Sequence, residues 1–290
     1  MKSKKLGRLI LIRHGESVWN ITDPNRGLVS RFTGWADISL TAKGITQAQA
    51  SGRCLQLFNI KPDIAFTSLL QRSKRTYSEI SNIIQPWAND IPVVNTWRLN
   101  ERHYGALVGL SKKEAALKMN AKDLIEWRRS WDAAPPKMSA RDLKRWSQSS
   151  HSKPVTIINE PGKLNILAYE KHVTLPETES LRDCAERVKP IYQVAILPRL
   201  KEGKTILVVA HANSIRAMVR QIDHATVSDS HIRSIYIPSA IPLVYDFGLL
   251  GSSDDVVPLG EPTSVGKCCC ILTCYILPPA INLPYTHIYT

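Results

Sequence analysis

The sequence contains no run approaching the roughly 18 consecutive apolar residues that cross a bilayer as a helix, so no membrane-spanning segment is expected. It has no block of Lys and Arg longer than a few residues. Its aromatics, 7% of the chain, do not interleave with the basic residues, which argues against a nucleic-acid partner. The start, MKSKKLGRLILIR, has an apolar run of only four residues and reads as neither a secretory signal nor a transit peptide. Six cysteines are present, but Cys54 and Cys184 fall in helical patterns while Cys268, Cys269, Cys270 and Cys274 crowd together near the far end. That is no disulfide framework, and a reducing cytoplasm is the expected compartment. CCC with one more Cys four residues on matches no standard zinc spacing. His103, His151, His172, His224, His231 and His287 show no metal-site spacing either, so no metal is expected.

The chain does have the means for a sizeable core. Its 290 residues and 43% hydrophobic content suit one large globular domain or two small ones. The net charge of +13, from 38 Lys and Arg against 25 Asp and Glu, points to an anionic partner, whether nucleic acid, a membrane surface or a phosphorylated metabolite, and charge alone does not choose among them.

The stretch that organises the rest is Leu9 to Asn20, LILIRHGESVWN. A short apolar run stopped by Gly reads as a strand buried on both faces, the kind found inside a parallel sheet. Arg13 and His14 then sit at its carboxyl end, the edge at which open α/β sheets bind ligands. Ile206 to Ser214, ILVVAHANS, repeats the pattern and brings His211 to the same edge. Between them, Thr41 caps a helix with Ile45, Ala48, Gly52 and Leu55 at helical spacing, ending before Lys61. A strand over Asp63 to Ser68, a helix from about Leu70 to Ile84 and a strand at Pro92 to Asn95 follow. A helix begins near Ser180, which forms a capping-box variant with Asp183, and Pro242 to Phe247 supplies a last strand. The expected fold is α/β: a mainly parallel sheet flanked by helices on both faces, with a capping insertion over its carboxyl edge. Residues 1–248 form the catalytic domain in this reading, 98–171 the insertion, and 249–290 a divergent tail without assignable periodicity.

RHGES, RFTGW, LNERHYGAL, WRR, AHANS and IPLVY occur in that order. Together they resemble the cofactor-dependent phosphoglycerate mutases of the histidine phosphatase superfamily, over about Leu9 to Phe247. The resemblance implies that His14 is a nucleophile carrying a phosphoryl group, with Arg13, Arg72 and His211 around it and Ser17 and Asn20 completing the pocket. Neutral imidazole attacks phosphorus at physiological pH, and arginine's planar fork suits phosphate oxygens. Glu101 takes the family's acid/base role. Arg102, Tyr104, Lys112, Arg128 and Arg129 match positions holding the substrate's carboxylate and distal phosphate. Thr33 and Gly34 stand on the other side, and Ala212 and Asn213 follow the second His. The implied function is interconversion of 3-phosphoglycerate and 2-phosphoglycerate, primed by 2,3-bisphosphoglycerate, in a homodimer or homotetramer. A histidine phosphatase or bisphosphoglycerate mutase with the same nucleophile is the neighbouring reading, and a decayed basic binding protein the reading from another class.

Three features depart from the family pattern. Ala212 stands where the family has Gly; at positive φ its Cβ would cost roughly 1 to 2 kcal/mol, and at negative φ nothing. The links Ile21 to Ser30 and Ala133 to Lys171 are longer than usual. The ending, KCCCILTCYILPPAINLPYTHIYT, differs from the Ala- and Lys-containing tail that helps family mutases exclude water, so leakage to hydrolysis is expected to rise.

Overall fold

A computed structural model describes residues 5–23, 25, 27–148, 176–223, 232, 235–249, 256–258 and 263–264. The Cys cluster of the ending, most of the 133–171 link and residues 265–290 lie outside the described residues. The strands are β1 (Lys5–Arg13), β2 (Ile64–Thr67), β3 (Val93–Asn95), β4 (Thr205–Ala210), β5 (Leu243–Leu249), β6 (Val256–Pro258) and β7 (Thr263–Ser264). Their order is β3-β2-β4-β1-β5-β6, with β7 also on β5. The first four positions are mutually parallel, whereas β5 runs antiparallel to β1. β6 and β7 pair antiparallel with β5. Both lie where the sequence shows no periodicity, because strands of two or three residues are too short to display one.

The helices are α1 (Ala42–Leu57), α2 (Gln71–Ile83), α3 (Lys112–Lys118), α4 (Ala121–Arg129), α5 (Ala140–Ser147), α6 (Leu181–Pro190), α7 (Leu197–Lys201) and α8 (Ala212–Ile222). Alternation along the strands sorts them into two layers. Leu9, Leu11, Ile206 and Val208 pack with Leu181, Cys184 and Val188 of α6 and with Ile215 and Val219 of α8. Ile10, Ile12, Leu207 and Val209 pack on the other face with Cys54 and Leu55 of α1 and Tyr77 and Ile80 of α2. Covering both faces is what makes β1 and β4 continuous apolar runs, and each such buried side chain contributes roughly 1.5 to 3 kcal/mol. The helix expected from Ser180 onward holds as α6 only to Pro190. Ile191–Ile196 is π-helical before α7 resumes, and the stretch is bracketed by Pro190 and Pro198, each lacking a backbone donor.

The segment between β3 and α6 builds a small core of its own, in which Leu107, Ala115 and Leu124 meet Phe32. Serine and asparagine caps start its helices: Ser111 and Glu114 form a reciprocal box on α3, and Asn120 caps α4.

One close approach fixes the loop after β1 against α1. Gly15 lies against the backbone oxygen of Gly44, and Gly44 against that of Glu16. A Cβ on either would sit inside van der Waals contact with backbone that cannot rotate away. Gly44→Ala is expected to lower stability by about 3 kcal/mol, read as a lower urea midpoint at unchanged slope.

Candidate active site

The carboxyl ends of β1 and β4 open into a cavity of about 330 Å3. His14, 3% exposed, stands at the end of β1, and its Nδ1 lies 2.7 Å from the carbonyl oxygen of Gly15. A carbonyl only accepts, so Nδ1 carries the proton and Nε2 keeps its lone pair. Burial, with the charges of Arg72 and Arg13, holds the imidazole pKa well below the ordinary 6.5. His14 is therefore a neutral base at physiological pH.

His211 is the N-cap of α8. It is fully buried, with its ring 4.9 Å from that of His14. Its Nε2 lies 2.7 Å from Ser68 Oγ. That hydroxyl also accepts from the Leu70 N–H at 3.2 Å, and when its own proton goes to Nε2 the His211 Nδ1 carries the ring proton as a donor. No protein group meets Nδ1, nor the buried Nε of Arg13 and of Arg72. Three buried nitrogens awaiting acceptors around one imidazole suit an oxyanion.

Arg72, at the start of α2, is completely buried and anchored by Nη bonds to the carbonyls of Ala36 at 2.7 Å and Gly34 at 2.8 Å. Burial brings its pKa down to about 10, opposed by Glu101 and Asp37, so it stays cationic. Arg13 donates to the Ile237 carbonyl at 3.0 Å. Glu101 lies in the loop after β3 with Oε1 fixed by the N–H groups of Arg102 at 2.8 Å and Asn213 at 3.2 Å. Asn213 Nδ2 donates to the Tyr104 hydroxyl at 3.0 Å.

Of the residues expected at the site, Arg13, His14, Asn20, Thr33, Gly34, Arg72, Glu101, Tyr104, Lys112, Arg128, Ala212 and Asn213 line this cavity. Two others support it from behind. Ser17 is buried and bonds Asn20 Oδ1 at 2.7 Å, orienting that amide rather than reaching the cavity. Arg102 is buried too: its guanidinium lies over the Tyr104 ring at 4.7 Å and donates to the Trp127 carbonyl at 3.1 Å. Its charge is thus spent on holding Tyr104 and α4, not on the cavity wall. Arg129 ends α4, and its side chain lies outside the described residues. Ala212 opens α8 with helical backbone and is not among the positive-φ residues, which among the described residues other than glycine are Asn59 and Ala240. Its methyl therefore carries no backbone strain.

The cavity also takes in four residues not among those expected at the site: Ser30, Arg31 and Phe32, the last two opening the RFTGW motif, and Arg216. Arg31 is the first residue of RFTGW and bonds Glu114 at 3.0 Å. Arg216 sits one turn after Asn213 on α8 and donates to its Oδ1 at 3.0 Å. That i, i+3 spacing behind AHANS is the signal that could have found it.

Three histidines packed around this site shape the acid response. His14 and His211 lie well below 6.5, and His103 comes down to about 4, in each case chiefly through burial. As pH falls below 6.5 the unfolded chain takes up protons that the folded chain refuses, so stability falls. Each histidine contributes a slope of up to about 1.4 kcal/mol per pH unit. Urea unfolding at pH 7.5 and 5.5 should show this loss; a flat profile would mean that these rings are protonated in the fold.

The family model of the histidine phosphatase superfamily (branch 1) matches residues 9–149 and 155–240, and the chain belongs to that superfamily. Curated relatives narrow this further. The chain is 40% identical over 247 residues, 85% of its length and 88% of the relative, to a 2,3-bisphosphoglycerate-dependent phosphoglycerate mutase of Corynebacterium diphtheriae. Over 240 residues, 83% of this chain and 86% of the relative, it is also 40% identical to the protein of that description from Hamiltonella defensa. At this identity and coverage its place is with the phosphoglycerate mutase family. Solved structures share the fold: a mycobacterial hydrolase at TM-score 0.58 and 19% identity covers 90% of this chain and 93% of its own. A mycobacterial glucosyl-3-phosphoglycerate phosphatase reaches 0.57 at 18% identity, covering 84% and 91%.

Proposed function

We propose that this chain interconverts 3-phosphoglycerate and 2-phosphoglycerate through a phosphohistidine on His14. The observation that carries the reading is the Nδ1 bond of His14 to the Gly15 carbonyl, which leaves a neutral Nε2 as nucleophile at the cavity. With His14 phosphorylated, Glu101 takes the proton of the monophosphate's free hydroxyl as that oxygen attacks phosphorus and the N–P bond at Nε2 breaks, giving the bisphosphate. In the return step the other phosphoryl group passes to Nε2 as its P–O bond breaks, and the departing oxygen takes the proton back from Glu101. Charge on the transferring oxygens is met by Arg13, Arg72 and the Nδ1–H of His211, which suits a reaction governed by positioning and electrostatics. The remaining cations of the cavity, Lys112, Arg128, Arg31 and Arg216, are suited to the carboxylate and the second phosphate.

The same unpartnered donors, Arg13 Nε, Arg72 Nε and His211 Nδ1, fit 2,3-bisphosphoglycerate, which supplies the phosphoryl group that primes the enzyme. The relatives' dependence on that compound supports this part of the reading. No helix among the described residues is long and apolar enough to cross a membrane, and the substrates are water-soluble, in keeping with action in the cytoplasm.

The test is a coupled assay for 2-phosphoglycerate formation with and without 2,3-bisphosphoglycerate. Cofactor-stimulated isomerisation is expected. Phosphate release without isomerisation would instead make the chain a histidine phosphatase.

A further inference from the structure

The most heavily bonded side chain near the site does not line the cavity. Arg187, on α6, is 6% exposed. Its guanidinium donates to the backbone carbonyls of Trp97, Arg98, Asn100 and Glu101 over 2.6 to 3.2 Å. It also forms a fork on Glu179, at 2.6 and 2.9 Å. Glu179 reaches past Glu101 to the next turn of chain: its Oε2 accepts from the His103 N–H at 2.8 Å, and its own N–H donates to the His103 carbonyl at 2.9 Å. The rings of Trp35 and Trp97 close over the guanidinium at 5.7 and 5.8 Å.

This ion pair therefore holds the main chain on both sides of Glu101. Residues 100–104, between the 3-10 turns Trp97–Leu99 and Gly105–Leu107, have no strand or helix of their own to fix them. A proton donor must be placed to a fraction of an ångström, and loops place groups less well than regular elements do. A buried ion pair is a weak source of stability, since its desolvation offsets most of its attraction. Its bonds here go to the one segment that needs placing.

We propose that Arg187, oriented by Glu179, is a positioning residue that sets the Glu101 carboxyl against the substrate oxygen and so transmits the rigidity of α6 to the acid/base step. The proposal rests on the reading of Glu101 as proton donor. It requires a planar fork with donors on several sides, which lysine cannot supply.

The leaving group separates this role from general support of the fold. An alkoxide needs a proton to depart, whereas p-nitrophenolate does not. In Arg187→Lys, turnover of 3-phosphoglycerate should fall roughly a hundredfold with KM little changed. Single-turnover release of p-nitrophenolate from p-nitrophenyl phosphate, which reads phosphorylation of His14, should stay within about twofold. Glu179→Gln should show the same selectivity more weakly, and it carries the test by the same criteria if Arg187→Lys does not fold. Equal losses on both substrates would overturn the proposal. Glu101→Gln is the control: if it does not discriminate between the two leaving groups, the reading of Glu101 fails. If it discriminates and the Arg187 and Glu179 variants do not, the positioning role alone fails.

Discussion

His14→Ala should abolish isomerisation, lowering turnover by a factor of about a million, while the protein stays folded. Among the described residues, the substitution removes the only imidazole nitrogen that combines a free lone pair with a place in the cavity lining. His211 cannot take over, because its Nε2 is engaged by Ser68 and its Nδ1 carries the ring proton, which leaves no free lone pair to attack phosphorus. Nor can the cations substitute: they stabilise charge on a transferring phosphoryl group but accept none. Two measurements check this. The coupled assay should fall to background with or without 2,3-bisphosphoglycerate, and incubation with that compound labelled in phosphorus should leave no acid-labile label on the protein. Retained label would place the phosphoryl group on another residue and overturn the assignment of His14.

Glu101→Gln should lower turnover of phosphoglycerate by about a hundredfold to ten-thousandfold and leave its binding nearly intact. The amide oxygen can still accept from the N–H groups of Arg102 and Asn213, which now bond Oε1, so the loop keeps its shape. What disappears is a group that exchanges a proton at each half of the reaction. Steady-state kinetics should therefore show a fall in kcat without a matching rise in KM. A change confined to KM would make Glu101 a binding group instead.

The fold was legible where a segment is buried on both faces or capped by its own side chains. The runs at Leu9 and Ile206 announce β1 and β4 because no polar residue is tolerated there, and Thr41 and Ser180 announce α1 and α6 because each accepts from a backbone N–H three residues on. The antiparallel direction of β5 was not legible, since PLVYDF reads alike in either sense. The site divides in the same way. Residues within motifs, such as His14 and Glu101, could be named from the sequence, whereas Arg216 could be found only once α8 gave its face a direction. Arg187 and Ser68 were hidden for a different reason: an arginine on an amphipathic helix and a serine at a strand end are ordinary in one dimension. Only the chain packed against them gives them work. Arg102 shows the reverse, a motif arginine whose neighbour Tyr104 keeps it from the wall. Ala212 was left open by the sequence because its meaning depends on one backbone angle, and the helix it begins decides the matter.

The central place of β1 has a consequence for how the enzyme comes into being. The strand that leads to His14 is synthesised before either of its neighbours, yet Ile10 is paired with Leu207 on one side and Val244 on the other. On the ribosome an apolar segment must wait, uncovered, until nearly all of the catalytic domain has emerged, and pairings this remote in sequence form slowly. Growing chains that lack β4 and β5 therefore carry His14 without a site, and catalytic competence arrives in one late step rather than by degrees. The cell gains no half-active mutase, but a newborn chain passes a long interval with that strand unpaired and open to other edges.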